Sequence, residues 1–163
     1  MTAKSQQLQI RVTPHQKAAL RRLAAGAGLD ISGYVLARAL PPKGERFREL
    51  LKLLRDEADR RFALAGLHDL LVGCAAVEYA DVVARADHSG LPVLMQNYVA
   101  AMVEQAGVQK GVAPPAWVAE IAPLDQPHFA TPLKSVRLHL LQASPVPFKR
   151  RNIFIDASLG ARV

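Results

Sequence analysis

Cysteine is almost missing from this sequence. A single one, Cys74, occurs in 163 residues, so no disulfide and no cysteine-based zinc site forms within one chain. Its setting, Val72-Gly73-Cys74-Ala75-Ala76-Val77, reads as a small core position. Long apolar runs are lacking too. The least charged stretch, 89–103, holds Pro92, Gln96 and Asn97 and is too short to span a bilayer. The first residues are polar where a secretory leader has an apolar segment, which predicts a cytoplasmic protein with no membrane association. Catalytic signatures are missing as well. Neither GxxxxGK[ST] nor GxSxG occurs. His15, His68, His88, His128 and His139 are scattered, none spaced i,i+4 with another, so a helical zinc site has no support. Glu78 and Asp81 share a helix face but read as its solvated edge. The expectation is a protein that is not an enzyme, with no cofactor and no metal.

Acidic residues are scarce in one region only. Residues 1–43 carry seven basic side chains against Asp30 alone, residues 44–61 carry six against five, and residues 62–163 balance at eight each. Nearly all of the net charge of +7 therefore sits in the first quarter. A basic segment on a neutral body is an electrostatic footprint for a polyanion. Half of the sequence, 50%, is hydrophobic, which is enough to build a core.

The basic segment has a clear local pattern. Leu8, Ile10 and Val12 alternate with Gln7, Gln9, Arg11 and Thr13, the period of a half-buried strand. Such a strand is not stable alone. Thr13-Pro14-His15-Gln16 is a helix start: threonine caps, proline suits the first position, and glutamine completes a capping box. The helix runs to about Ala25, with Leu20, Leu23 and Ala24 on one face. Gly26-Ala27-Gly28 ends it. Asp30 caps a second helix with Ile31, Val35 and Ala39 at spacing four, and Pro41-Pro42 stops it.

Strand, TPHQ start, glycine turn and GLDISGYV in this order resemble the ribbon-helix-helix family, the Arc and MetJ type of DNA-binding protein. The resemblance covers about a quarter of the chain. It implies an intertwined homodimer in which each chain donates one strand to an antiparallel ribbon. Leu8, Ile10 and Val12 would face the shared core. Gln7, Gln9, Arg11 and Thr13 would read bases of double-stranded operator DNA in the major groove. The start of the second helix, at Ile31 and Ser32, would hold a DNA phosphate. Gly33 stands where the family often has glutamate, which weakens that helix start.

Beyond residue 43 the pattern is helical. ERFRELLKLLRDEADRRF places Phe47, Leu50, Leu51, Leu54, Ala58 and Phe62 at helical spacing, with Asp56–Arg60 and Glu57–Arg61 as i,i+4 pairs. This predicts one helix of about five turns ending near Gly66, serving residues 44–66 as a connector or as a pairing surface for the dimer mate. A more apolar helix follows from Leu67 to about Ala86. Pro92 opens a third, from Val93 to Ala106, closed by Gly107.

The last fifty residues are broken by Pro114, Pro115, Pro123, Pro127, Pro132, Pro145 and Pro147, so they read as partly extended. Short helices are expected at 116–121 and 133–142, the second with Leu133, Val136, Leu140 and Leu141 as its apolar points. A strand is expected at 152–156. Trp117, Phe129, Phe148 and Phe154 are anchors enough for this segment to wrap over a surface. PPAWVAEIAPLDQPHF, LKSVRLHLL and SPVPFKRRNIFIDASLGARV resemble a C-terminal module of bacterial antitoxins, the partners of AbiE-type nucleotidyltransferase toxins. The resemblance implies a toxin-contacting domain, with Trp117, Phe148, Lys149, Arg150, Arg151 and Phe154 as candidate contacts. Equally open is a tail folded back on its own domain.

The resulting expectation is a mainly α protein in two parts. Residues 1–43 form a ribbon-helix-helix module with one swapped strand and two helices. Residues 44–163 form a helical toxin-binding domain with a proline-rich end. The implied function is that of a type II antitoxin that represses its own operon and neutralises a toxin by direct binding. The alternatives are a stand-alone ribbon-helix-helix regulator whose C-terminal domain senses a ligand, and an enzyme with an unfamiliar site.

Overall fold

The structure is a computed structural model and describes residues 9–39 and 42–156. It is mainly α-helical, and it divides into two compact units, Met1–Pro42 and Lys43–Val163.

The first unit holds α1, Pro14–Gly26, and α2, Ile31–Ala39, packed on each other. The capping box at the start of α1 forms. Gln16 N donates to Thr13 Oγ1 at 3.3 Å, and Thr13 N donates to Gln16 Oε1 at 2.9 Å. Gly28, at φ 67°, makes the left-handed step between the helices. The only buried side chain among the described residues of this unit is Ala24.

The second unit is built on α6, Val93–Lys110, the longest helix. α4, α5, α7 and α9 all pack against it. Nine of its residues are buried, from Met95 to Gly107, as expected of a helix enclosed on several sides. It extends one turn beyond the predicted end. Gly111, at φ 67°, supplies the left-handed cap instead of Gly107. Gly107 is buried at a close approach, where a Cβ would stand 2.7 Å from Val112 O.

The five-turn helix predicted over 45–66 is two helices: α3, Lys43–Leu53, and α4, Arg60–Gly73. Local polar bonding breaks it. Asp56 Oδ1 accepts from Ala58 N at 3.0 Å, and Arg60 Nε donates to Leu54 O at 3.2 Å. These bonds offer the backbone an alternative to the helical ladder. The expected Asp56–Arg60 and Glu57–Arg61 pairs are therefore not helical neighbours. α4 doubles back on α3, and Gly66 is the contact point, not a helix end. A Cβ there would stand 2.8 Å from Leu50 Cδ2. The helix predicted from Leu67 to Ala86 is also interrupted. Cys74 is extended (φ −79°, ψ 129°) and buried, and α5 spans Ala76–Val83.

The proline-rich end folds back on this unit. It holds α7, Ala116–Glu120; β1, His128–Phe129; a 3-10 turn, η1, Lys134–Val136; α8, Arg137–Ala143; α9, Val146–Lys149; and β2, Ile153–Phe154. β1 and β2 pair in parallel, His128 against Ile153 and Phe129 against Phe154. Asn152 takes the left-handed conformation (φ 59°) just before β2 and donates to Leu124 O at 2.8 Å. Short polar side chains tolerate that conformation best after glycine.

Candidate DNA-contact and partner-contact sites

The groups expected to meet DNA lie in the first unit, and Gln7 falls outside the described residues. Gln9 and Arg11 are exposed. Ile10 and Val12 flank Arg11 and are 59% and 42% exposed. Residues 9–13 form no strand within the single chain, since no described segment pairs with them. Thr13 is exposed and caps α1, its Oγ1 accepting from Gln16 N at 3.3 Å, with its hydroxyl proton left to donate.

Ile31 and Ser32 occupy the first two positions of α2, whose N–H groups have no carbonyl partner within the helix. Ser32 is exposed and Ile31 half-buried. Asp30 changes the electrostatics there. Its Oδ1 accepts from Gly33 N at 2.7 Å, so a carboxylate sits beside the expected phosphate position and uses one of the donors. A Cβ at Gly33 would stand 2.7 Å from the same oxygen, so a larger residue there would require the Asp30 side chain to shift.

Six residues of the second unit were candidates for contacting a partner, and four are interior. Trp117 is buried and its Nε1 donates to Val83 O at 2.9 Å, with His88 stacked on the ring at 5.6 Å. Phe148 is buried against Tyr98, edge to face at 5.4 Å. Phe154 is buried and stacks on Phe129 at 5.0 Å. Arg151 is 6% exposed. Its Nη2 donates to Val118 O at 2.7 Å, and its Nη1 to Ile121 O at 3.1 Å and Asn97 Oδ1 at 3.3 Å. Burial lowers its pKa, with Glu104 opposing, yet a guanidinium stays charged. These four side chains hold the proline-rich end onto the helices and are not surface groups.

Lys149 and Arg150 remain near the surface. Lys149 Nζ donates to Gln142 O at 2.7 Å and so caps α8. Arg150 Nη1 pairs with Glu104 Oε1 at 3.1 Å.

Sequence reasoning missed Asn97, which is fully buried and joins Arg151 to α6. Its signal was an amide amid the apolar residues of that helix. Asn97 Nδ2 donates to Val93 O and Ala122 O, each at 3.1 Å.

Other titratable groups are structural or peripheral. Burial pushes the Tyr79 hydroxyl up to about 12, and it donates to Val103 O at 2.7 Å. Glu78 is held below the usual carboxylate range, chiefly by the hydrogen bond from Lys43 at 2.6 Å. His68 lines a shallow groove with Leu71, Tyr98, Met102, Phe148 and Ile155. Its ring is held below the usual imidazole value by burial, with Asp69 opposing. Among the described residues no group of three or more His, Cys, Asp or Glu is placed to hold a metal, and no helix is long and apolar enough to cross a membrane.

No family model, curated protein or solved structure matches the chain.

Proposed function

We propose that the protein is a DNA-binding antitoxin. Its first unit pairs with a second copy as a ribbon-helix-helix dimer on operator DNA, and its second unit binds and neutralises a toxin of the nucleotidyltransferase type. The observation that carries the first half is the unfinished state of the first unit. Among its described residues one side chain is buried, while Ile10, Val12, Leu23, Leu29 and Leu36 stand 42–59% exposed. Two short helices with one buried alanine do not bury enough apolar area to be stable. A second copy completes them, and an antiparallel pairing of residues 7–13 leaves Gln9 and Arg11 on the face that a major groove accepts.

The toxin half rests on the resemblance of the proline-rich end. The fold packs this end onto its own helices through Trp117, Phe148, Arg151 and Phe154, as the folded-back alternative expects, so the toxin reading rests on the resemblance alone.

The test has two arms. The full chain is assayed on the DNA upstream of its own gene by footprinting, and it is co-expressed with the neighbouring gene product. Operator protection that changes as the partner is titrated in supports coupled repression and neutralisation. A chain that binds DNA but forms no protein complex overturns the antitoxin reading.

A further inference from the structure

α8 is apolar on both sides. With 100° per residue, Val136, Leu140 and Ala143 fall on one face, and Leu140 is 3% exposed there. The opposite face carries Leu138 and Leu141, which are 69% and 43% exposed. Leu133, just before η1, is 61% exposed. Lys134 shares the outward face with the two leucines, and Arg137 lies at its edge. Arg137, His139 and Gln142 lie between these two faces, so Leu133, Leu138 and Leu141 form an exposed apolar patch rimmed by polar side chains, the pattern of an interaction surface.

The charge around them says what kind. Lys134 and Arg137 are the basic side chains at this face, and the acidic group paired with α8 is Asp156, 3.4 Å from His139 Nε2 on another side of the helix. Among the described residues, neither Lys134 nor Arg137 makes an ion pair. Arg137 lies over the Phe129 ring at 4.7 Å, held by that ring near the leucines.

We propose that the outward face of α8 is a docking surface for a protein partner that presents apolar side chains rimmed by Asp and Glu. Two other covers fit less well. A second copy of this chain, meeting the face in a twofold manner, would bring two faces of the same positive sign together. A phosphate backbone matches the cations but leaves Leu138 and Leu141 without apolar contact. The surface names the chemistry of the toxin contact and rests on the antitoxin reading. It also relocates that contact from Trp117, Phe148, Arg151 and Phe154, which are interior, to side chains that are free to meet a partner.

Leu138 in the full chain is replaced by photo-reactive benzoylphenylalanine, and adducts formed in the source cells are identified by mass spectrometry. The expected adduct is with one protein, through an acidic region of its surface. That purified protein then binds the chain roughly 30-fold more weakly after Leu138→Ser with Leu141→Ser, and comparably more weakly after Lys134→Glu with Arg137→Glu. Leu138 and Leu141 are exposed, so the melting temperature should match the parent in that pair, while loss of the Arg137–Phe129 contact should lower that of the charge-reversal pair by a few degrees at most. Adducts between copies of the chain alone, adducts with nucleic acid, or co-sedimentation with phosphatidylglycerol vesicles as the sole binding would overturn the proposal. So would no adduct, or affinity unchanged by both pairs of substitutions. The two readings separate cleanly. A toxin that binds both double variants normally sinks the α8 face and keeps the antitoxin. An acidic partner that binds α8 and is no toxin keeps the face and sinks the antitoxin.

Discussion

Arg151 and Asn97 are joined in the interior of the second unit, Nη1 to Oδ1 at 3.3 Å, across 54 residues of sequence. Each is also bonded to backbone carbonyls: Val118 in α7 and Ile121 just after it for Arg151, Val93 at the start of α6 and Ala122 for Asn97. Together they tie α6, the exit from α7 and the approach to β2. No carboxylate bonds to the guanidinium; neutral acceptors surround it. Its Nε has no partner, which leaves the cluster incompletely satisfied and dependent on the remaining bonds.

Neighbouring arginines should therefore differ sharply. Arg151→Ala orphans two buried carbonyls and the Asn97 amide oxygen and should cost about 3 kcal/mol. That corresponds to a fall in melting temperature of roughly 10 °C. Arg150 is 69% exposed in its side chain and pairs with Glu104, so Arg150→Ala should cost less than about 1 kcal/mol. Thermal denaturation of the two single variants decides this. Equal losses would contradict the interior role of Arg151.

The sequence made some of this legible and hid the rest for identifiable reasons. Helix starts with a proline at or before the first turn, at Pro14, Pro92 and Pro115, were readable because proline presets the backbone. Helix ends were harder. Gly66 and Gly107 look like stop signals, yet each is the place where another element comes within contact distance, and only tertiary structure shows that. The break after Leu53 was hidden because residues 45–62 keep a helical hydrophobic period through it. Asp56 overrides that period by bonding locally. Arg150 and Arg151 read alike in KRR, and only packing separates the ion-paired surface arginine from the buried one.

Gly107→Ala offers a direct test of that reading. The added methyl would stand 2.7 Å from Val112 O and 3.0 Å from Tyr79 Oη. Backbone and a buried ring must both shift, at about 1–3 kcal/mol. Gly73→Ala meets nothing within 4 Å and should change stability by less than about 1 kcal/mol. Urea denaturation of both variants, with slopes compared, is the measurement. An unaffected Gly107→Ala protein would mean that Val112 O and the Tyr79 ring do not approach Gly107 so closely.

Thr13 and Arg11 are two residues apart and should fail in different ways. Thr13→Ala removes the cap of α1 and should cost about 1 kcal/mol of stability, with base preference preserved. Arg11→Ala should leave the fold intact. On operator DNA it should cost on the order of 1–3 kcal/mol of binding and relax the preference at one guanine. Melting and footprinting on the same pair of proteins separate the two effects. An Arg11→Ala protein with parental affinity and footprint would remove Arg11 from the reading face.

His68 makes stability depend on pH in a stated direction. Burial against Leu71 and Met102 favours the neutral imidazole, so the folded-state pKa lies below the ordinary value of 6.5 despite Asp69. Between those two values the unfolded chain binds more protons than the folded one. The contribution of His68 is thus complete above 6.5 and is lost as pH falls through the folded-state value. The parent protein should melt lower at about pH 5.5 than at about pH 7.5. His68→Gln should flatten that difference, because the amide does not titrate. Glu78 and Asp87 have lowered values and act only further into the acid range. They therefore contribute equally to both proteins in this window. A melting-temperature difference identical in parent and His68→Gln would show that the ring is not desolvated in the folded chain, and the groove beside α6 would then be wetter than its apolar lining implies.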